Sequence, residues 1–318
     1  MELAVVSSSN RTRLGIMFGM SAGALWGLVF LAPELAGQFT PLQLAIGRYL
    51  AYGLLSAALI APRWRLLTAI LTRRDWLSLA WLSLAGNTLY YILLSAAVQT
   101  GGIAMTSLVI GFLPVAVTII GSRESGAVPL RLLAPSLLLC TAGVFCIGWQ
   151  ALAVPVAGTA QLTGLLCAIG ALVSWTAFAV GNSRCLARLD RVSAPDWNLL
   201  MGLVTGAQAV ALIPVTLSFE PIHHEAAAWL QLAGVSIGVA LLASIVANAL
   251  WNRMSRLLPL TMVGQMILFE TLFALIYGFL WEQRLPVPLE MAAFGLVVAS
   301  VLSCIAAHRR HGSRTVAH

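Results

Sequence analysis

Lysine is absent from this chain: all 18 basic residues among its 318 are arginine. Charge of either sign is scarce, at 9% of residues against 60% hydrophobic ones, with a mean hydropathy of +0.92. A soluble domain carries about a quarter charged residues. Too little charge is present to cover a water-facing surface, so most of the surroundings must be lipid. The net charge of +7 does not point to nucleic acid, which needs a basic patch on one exposed face. The arginines stand singly or in pairs between apolar runs, as orientation signals do.

Other absences narrow the function. The five cysteines (Cys140, Cys146, Cys167, Cys185 and Cys304) lie in or beside apolar segments. They form no CxxC or Cys/His spacing, so no metal site and no cofactor is expected. No GxxxxGK[ST] motif is present to cradle a phosphate. The five histidines (His223, His224, His308, His311 and His318) are read as lying in a loop or the tail. That leaves no imidazole at membrane depth to activate a Ser or Cys nucleophile. An enzyme is not expected, and a lipid-modifying one would need polar catalytic groups gathered at an interface. Met1 to Arg13 is polar and the apolar run after it is long enough to span, so a cleavable signal is not expected.

What is present is a series of long apolar runs. A hydrocarbon core of about 30 Å takes about 20 helical residues. Cutting at charges, prolines and polar clusters predicts ten spans, at approximately 14–33, 41–61, 76–98, 102–121, 129–149, 159–182, 195–217, 227–251, 259–281 and 287–306. Helix is required there, because lipid offers no partner for backbone N–H and C=O groups. Arg11 and Arg13, then Arg63 to Arg74, Arg123 and Arg131, Arg184 to Arg191, Arg253 and Arg256, and Arg309 to Arg314 all fall on one side. The other side has Arg284, and Arg48 lies within a span. Both termini are therefore expected in the cytoplasm, in a multi-pass protein of the inner membrane.

A weak internal repeat is visible. Gly15 to Trp26 resembles Gly164 to Trp175, Pro41 and Pro195 open the second and seventh spans, and Trp76-Leu77 and Trp229-Leu230 open the third and eighth. Units of five spans must lie in opposite membrane orientations, and inverted repeats place a transporter's substrate site near the midplane. The expected fold is all-α and integral to the membrane, with ten transmembrane helices as two inverted five-helix repeats. The expected parts are an N-terminal segment 1–13, repeats 14–150 and 151–307, and a tail 308–318. A channel would want a continuous polar lining, so the two-fold repeat favours a carrier.

Polar groups at membrane depth mark where chemistry can sit. Glu270 lies mid-span, with Met262, Met266, Phe273 and Tyr277 at helical spacing. A protonated carboxyl bonded inside the bundle is the competing structural reading. Arg48 suits a substrate carboxylate, although a cation satisfied by helix-end carbonyls, Glu34 or Glu270 is weighed ahead of that. On the third span Trp76, Ala80, Ser83, Asn87 and Tyr90 share a face, with Tyr91 adjacent. The repeat mates Trp26 and Trp175 end two stripes of small residues, and Ser244, Asn248 and Trp251 form a further face. Trp64, Trp149, Trp229 and Trp281 are read as interfacial anchors. The candidate substrate-binding residues are Trp26, Asn87, Tyr90, Tyr91, Trp175, Glu270, Phe273 and Tyr277, with a coupled proton on Glu270 as a further expectation.

The order of these features resembles the drug/metabolite transporter superfamily, in its EamA-type ten-helix branch, over about residues 14–307. Halves of that branch end with an apolar span carrying Glu-Pro, a Gly-Glu-Arg-Leu-like turn and a Gly-containing helix. The second half here has Phe269-Glu270-Thr271, Trp281-Glu282-Gln283-Arg284-Leu285-Pro286 and Gly295. The first has Leu113-Pro114, Gly121-Ser122-Arg123-Glu124 and Gly143. The Glu-Pro pair is thus split between the halves. Ala168 to Asn182 and Leu260 to Leu280 look most like YddG-type aromatic amino-acid exporters. The resemblance implies export of aromatic and other hydrophobic amino acids by alternating access, with drugs or other small metabolites as the alternative cargo.

Overall fold

The computed structural model describes residues 8–123, 127–152, 159–220, 223–281, 283, 285–286 and 288–315. Glu124, Glu282, Arg284 and His318 and the side chains of Glu34, Trp149 and Arg314 lie outside what is described. All regular structure among the described residues is helical. In chain order the α-helices are α1 Ser8–Gly27, α2 Ala32–Leu35, α3 Pro41–Ile60, α4 Trp64–Ile70, α5 Arg73–Ser83, α6 Leu89–Ile110, α7 Leu113–Gly121 and α8 Leu130–Leu152. They continue as α9 Thr159–Arg188, α10 Ala194–Phe219, α11 Ala226–Val239, α12 Asn248–Leu257, α13 Leu260–Met266, α14 Leu268–Trp281 and α15 Pro288–Thr315.

Eight stretches of the described chain are long and apolar enough to cross a membrane. Exposure is distributed accordingly. Leu54, Leu138, Leu230 and Phe219 face outward, while Arg48, Asn87, Asn198 and Gln265 are buried. A water-soluble fold has the opposite preference.

Local chemistry starts the helices. Thr40 caps α3 in a reciprocal capping box with Gln43, and Thr72 caps α5 in another with Asp75. Ser193 caps α10, with Pro195 in its first turn. In each case a side-chain oxygen takes up an N–H that the helix itself leaves unpaired.

The expected division between a third and a fourth span falls inside continuous helix, because α6 runs from Leu89 to Ile110. The helix is nevertheless not straight there. Ala97 and Val109 lie in one cluster with Ala168 and Cys167. Twelve residues of straight helix would separate them by roughly 18 Å. Beyond the Gly111-Phe112 break, Ala116 and Ile120 of α7 lie beside Leu172 to Gly181 of α9. The ninth expected span is also interrupted, at Ile267 between α13 and α14. The last helix runs nine residues past the expected 306, to Thr315.

Helices from the two halves of the sequence interleave. Helix α3 packs on α10, α7 on α13, α8 on α15, α6 on α9, and α1 against α12 and α14. The α3–α10 crossing is closest at Gly53 and Gly206, where a Cβ on either would lie 2.7 Å from the other's Cα. The surroundings are reciprocal as well. The Cβ at Gly53 would lie 3.5 Å from the Gly202 carbonyl oxygen, and that at Gly206 would lie 3.5 Å from the Tyr49 oxygen. Only glycine permits this approach of two backbones.

Two π-helical stretches, Leu84–Thr88 after α5 and Ala240–Ala247 after α11, widen the helix mid-span. Widening frees carbonyls from the regular ladder, and neighbouring helices take them up. Ser174 Oγ donates to the Ala85 oxygen at 2.7 Å, and Tyr49 OH to the Asn87 oxygen at 3.0 Å. Trp26 Nε1 donates to the Ala243 oxygen at 3.0 Å and Asn198 Nδ2 to the Ser244 oxygen at 3.1 Å. In hydrocarbon such substitution is what makes an irregular helix tolerable.

Candidate functional site

The two π-helical stretches flank a cavity of about 50 Å³ at the centre of the bundle. A water needs about 10–15 Å³ on this measure, so the space holds a few waters in the conformation seen. Its wall comes from α1 (Trp26, Val29 and Phe30), α3 (Arg48 and Tyr49), and the Gly86-Asn87 bulge with α6 (Tyr90, Tyr91, Leu94, Ser95 and Val98). Helices α9 (Trp175 and Phe178), α12 (Asn248) and α14 (Glu270) complete it.

Aromatic rings make up the largest part of this wall. Trp26 and Trp175 meet edge to face at 6.0 Å, with an interplanar angle of 85°. Trp251 lies behind both, 5.0 Å from Trp26 and 5.5 Å from Trp175. Tyr90 and Phe178 extend the set at 6.3 and 5.7 Å from Trp175. Such pairs add about 0.5–1.5 kcal/mol each beyond area burial, and the polar edge of Trp26 is anchored. Trp26 Nε1 is shared between the Ala243 oxygen and Asn248 Oδ1, the latter at 3.1 Å. Asn87 Nδ2 donates to Thr205 Oγ1 at 3.1 Å.

Arg48 is 8% exposed. Its Nε donates to Ser244 Oγ at 3.2 Å, and its guanidinium lies 4.7 Å from the centre of the Tyr91 ring and 5.2 Å from that of Tyr49. Glu270 faces the same cavity and keeps partial exposure. No ion pair within 4 Å joins Arg48 to Glu270, or either of them to another described residue. The Glu270 backbone is held tightly from behind. A Cβ on Gly23 would lie 2.8 Å from the Glu270 nitrogen and 2.6 Å from Phe269 Cβ.

Of the candidate residues named from sequence, the cavity brings together Trp26, Asn87, Tyr90, Tyr91, Trp175 and Glu270. Phe273 and Tyr277 do not line it. They pair with each other at 6.0 Å, and Tyr277 OH donates to the Ala24 oxygen at 3.0 Å, in the α1–α14 contact. Spacing alone put them on the Glu270 stripe, but three- and four-residue steps drift around a helix and carry them onto its neighbour. Arg48, for which the sequence favours a structural role, shares the wall; its distance from any carboxylate is not legible in the sequence. Tyr49 and Ser95 were missed. Tyr49 adjoins Arg48, but adjacent helical residues ordinarily diverge by about 100°.

The histidines need correction too. His308 stands on α15, where its Nε2 is 2.7 Å from Thr261 Oγ1 and its Nδ1 is 2.9 Å from the Cys304 oxygen. It is packed against a span, because α15 continues beyond the apolar run. A buried polar chain adjoins it: Gln265 Nε2 donates to Thr118 Oγ1 at 3.3 Å, and Ser300 Oγ donates to Gln265 Oε1 at 3.1 Å and to the Ser136 oxygen at 2.7 Å. At the arginine-rich ends of the helices, two ion pairs cross between the halves: Arg63 with Asp196 at 2.6 Å and Arg188 with Asp75 at 3.1 Å.

Comparisons with known proteins agree with this architecture. The model of the EamA-like transporter family matches residues 13–149. Among curated proteins, the inner membrane protein YtfF of Escherichia coli (strain K12) is 31% identical over 316 residues, covering 92% of this chain and 95% of that protein. A solved crystal structure superimposes with a TM-score of 0.70 at 18% identity, covering 92% of this chain and 98% of the other. At that identity the likeness concerns the fold alone.

Proposed function

This chain belongs to the EamA-like transporter family, and from that premise we propose that it exports amino acids, aromatic and other hydrophobic ones, from the cytoplasm by alternating access. The observation that carries the reading is the central cavity, in which a wall of Trp, Tyr and Phe rings surrounds one guanidinium and one carboxyl group. The rings suit an apolar or aromatic side chain, and a small enclosed space suits a small molecule. Trp26, Asn87, Tyr90, Tyr91, Trp175 and Glu270 are the proposed contacts. Phe273 and Tyr277 act from behind, holding α14 against α1. Glu270 also carries the coupled proton in this proposal.

The proposed framework is ten spans in two inverted repeats, in the inner membrane, with both termini cytoplasmic. Support comes from the reciprocal Gly53–Gly206 contact. Gly53 and Gly206 are separated by 153 residues, as are Tyr49 and Gly202. Reciprocal contacts of this kind arise where two copies of one element meet on a two-fold axis. The present cavity is smaller than a Trp side chain requires, so loading demands that its walls part.

Uptake of radiolabelled tryptophan and phenylalanine into inverted membrane vesicles tests the reading. Saturable uptake above that of vesicles lacking the protein is expected. If a cationic drug accumulates instead and neither amino acid moves, the cargo is a drug and the amino-acid reading fails.

A further inference from the structure

The cavity holds a guanidinium and a carboxylate that do not satisfy each other. From this we infer that Arg48 is the receptor for the substrate's carboxylate and Glu270 the receptor for its ammonium, so that the cavity selects zwitterions over molecules carrying either charge alone. The inference rests on the reading of the cargo as an amino acid and assigns which protein group meets which end of it.

A buried cation in a bundle is costly unless it is paired or faces a cavity. Arg48 is 8% exposed, its Nε is used by Ser244, and its guanidinium carbon lies 4.7 and 5.2 Å from the centres of the Tyr91 and Tyr49 rings. These contacts hold the guanidinium in place without neutralising it. A guanidinium fixed in this way offers its remaining N–H groups in a fork that fits a carboxylate. Two other described carboxylates are already engaged by arginines, Asp196 with Arg63 and Asp75 with Arg188. Glu270 is on the cavity wall with no ion-pair partner among the described residues. Each group alone would favour a singly charged ligand. Together they leave a site of nearly zero net charge in a low dielectric, where a ligand with separated opposite charges pairs with both.

Arg48 is thereby a specificity-determining residue as well as a structural one. A molecule that lacks the carboxylate leaves the guanidinium buried without its anion, and one that lacks the amine does the same to Glu270. Loss of a charge-assisted contact of this kind reduces affinity about tenfold or more.

The test uses the full chain in proteoliposomes, in wild-type, Arg48→Gln, Arg48→Lys and Glu270→Gln forms. Three competitors are compared: tryptophan, tryptamine (no carboxylate) and indole-3-propionate (no amine). Wild type is expected to prefer tryptophan over each analogue by about tenfold or more. In Arg48→Gln the advantage over tryptamine collapses while that over indole-3-propionate persists. In Glu270→Gln the reverse holds. Arg48→Lys, which keeps the charge but loses the fork, retains part of the preference. Monodisperse elution in detergent establishes that each variant is folded. If folded variants keep both preferences, or if each variant weakens all three competitors equally, the assignment is overturned. If wild type ignores tryptophan, the same comparison with leucine, isopentylamine and 4-methylvalerate separates the two ideas. A zwitterion preference there sinks only the aromatic cargo, and indifference to both series sinks the charge assignment with it.

Discussion

At the scale of single residues, the account rests on groups that are expensive in lipid and are kept nonetheless. Trp26 is the clearest. Its indole N–H is placed by a carbonyl that the Ala240–Ala247 bulge releases, so it serves packing and the cavity wall at once. Trp26→Phe removes the donor and keeps a ring. It is expected to destabilise the bundle by about 1 kcal/mol, readable as a lower midpoint of thermal aggregation in detergent. Gly23 is less forgiving. Gly23→Leu forces α1 away from the Phe269-Glu270 backbone, and transport is expected to fall below detection while Gly234→Leu, a position with open space around it, remains active. For Glu270, the proton-carrying role predicts that Glu270→Gln uncouples transport from a pH gradient while exchange of labelled for unlabelled substrate continues at the weaker affinity left by the lost ammonium contact. A gradient that still drives the variant would remove that role.

At the scale of helices, the two ends of the α3–α10 pair are unequal. Arg63 and Asp196 form an ion pair at the arginine-rich end. The residues 153 positions away from each, Thr216 and Gln43, are neutral and lie together in an apolar groove at the other end. The side chain of Arg63 is 48% exposed, and pairs of that kind contribute about 0.2–1 kcal/mol. Breaking one therefore shifts an opening equilibrium by at most roughly fivefold. Asp196→Asn and Asp75→Asn together are expected to raise labelling of a Tyr90→Cys variant by a thiol reagent from the arginine-rich side. Unchanged labelling would mean that the ion pairs do not gate the cavity. The starts of α3 and α10 were legible from Pro41 and Pro195, whereas α5 begins at Arg73, three residues before the expected Trp76, because Thr72 caps it. The π-helical bulges were not legible. No propensity marks Leu84–Thr88, and its widening is held by Ser174 and Tyr49 from other helices. The course of α6 was equally hidden, because the departure from a straight axis between Ala97 and Val109 occurs without loss of helix.

At the scale of the whole molecule, composition alone pointed to lipid as the solvent. Six of the eight named residues reach one cavity because Trp26, Trp175 and the Asn87-Tyr90-Tyr91 face occupy mid-span positions. Phe273 and Tyr277 fall elsewhere because periodicity assigns a face and not the neighbour that the face meets. The pairing state of Arg48 and Glu270, which decides what the cavity can bind, depends on distances across three helices and left no trace in the sequence. Reporter fusions after Arg13 and after His318 are both expected to report the cytoplasm, as the arginine distribution requires. The central claim is that substrate crosses through this aromatic cavity. Counterflow of labelled phenylalanine into proteoliposomes loaded with unlabelled phenylalanine measures it most directly, in wild type and in Trp175→Ala. The account predicts saturable counterflow in wild type and a loss of about tenfold or more in the folded variant, the scale of an aromatic contact removed from a binding pocket. Equal counterflow in the two would contradict it.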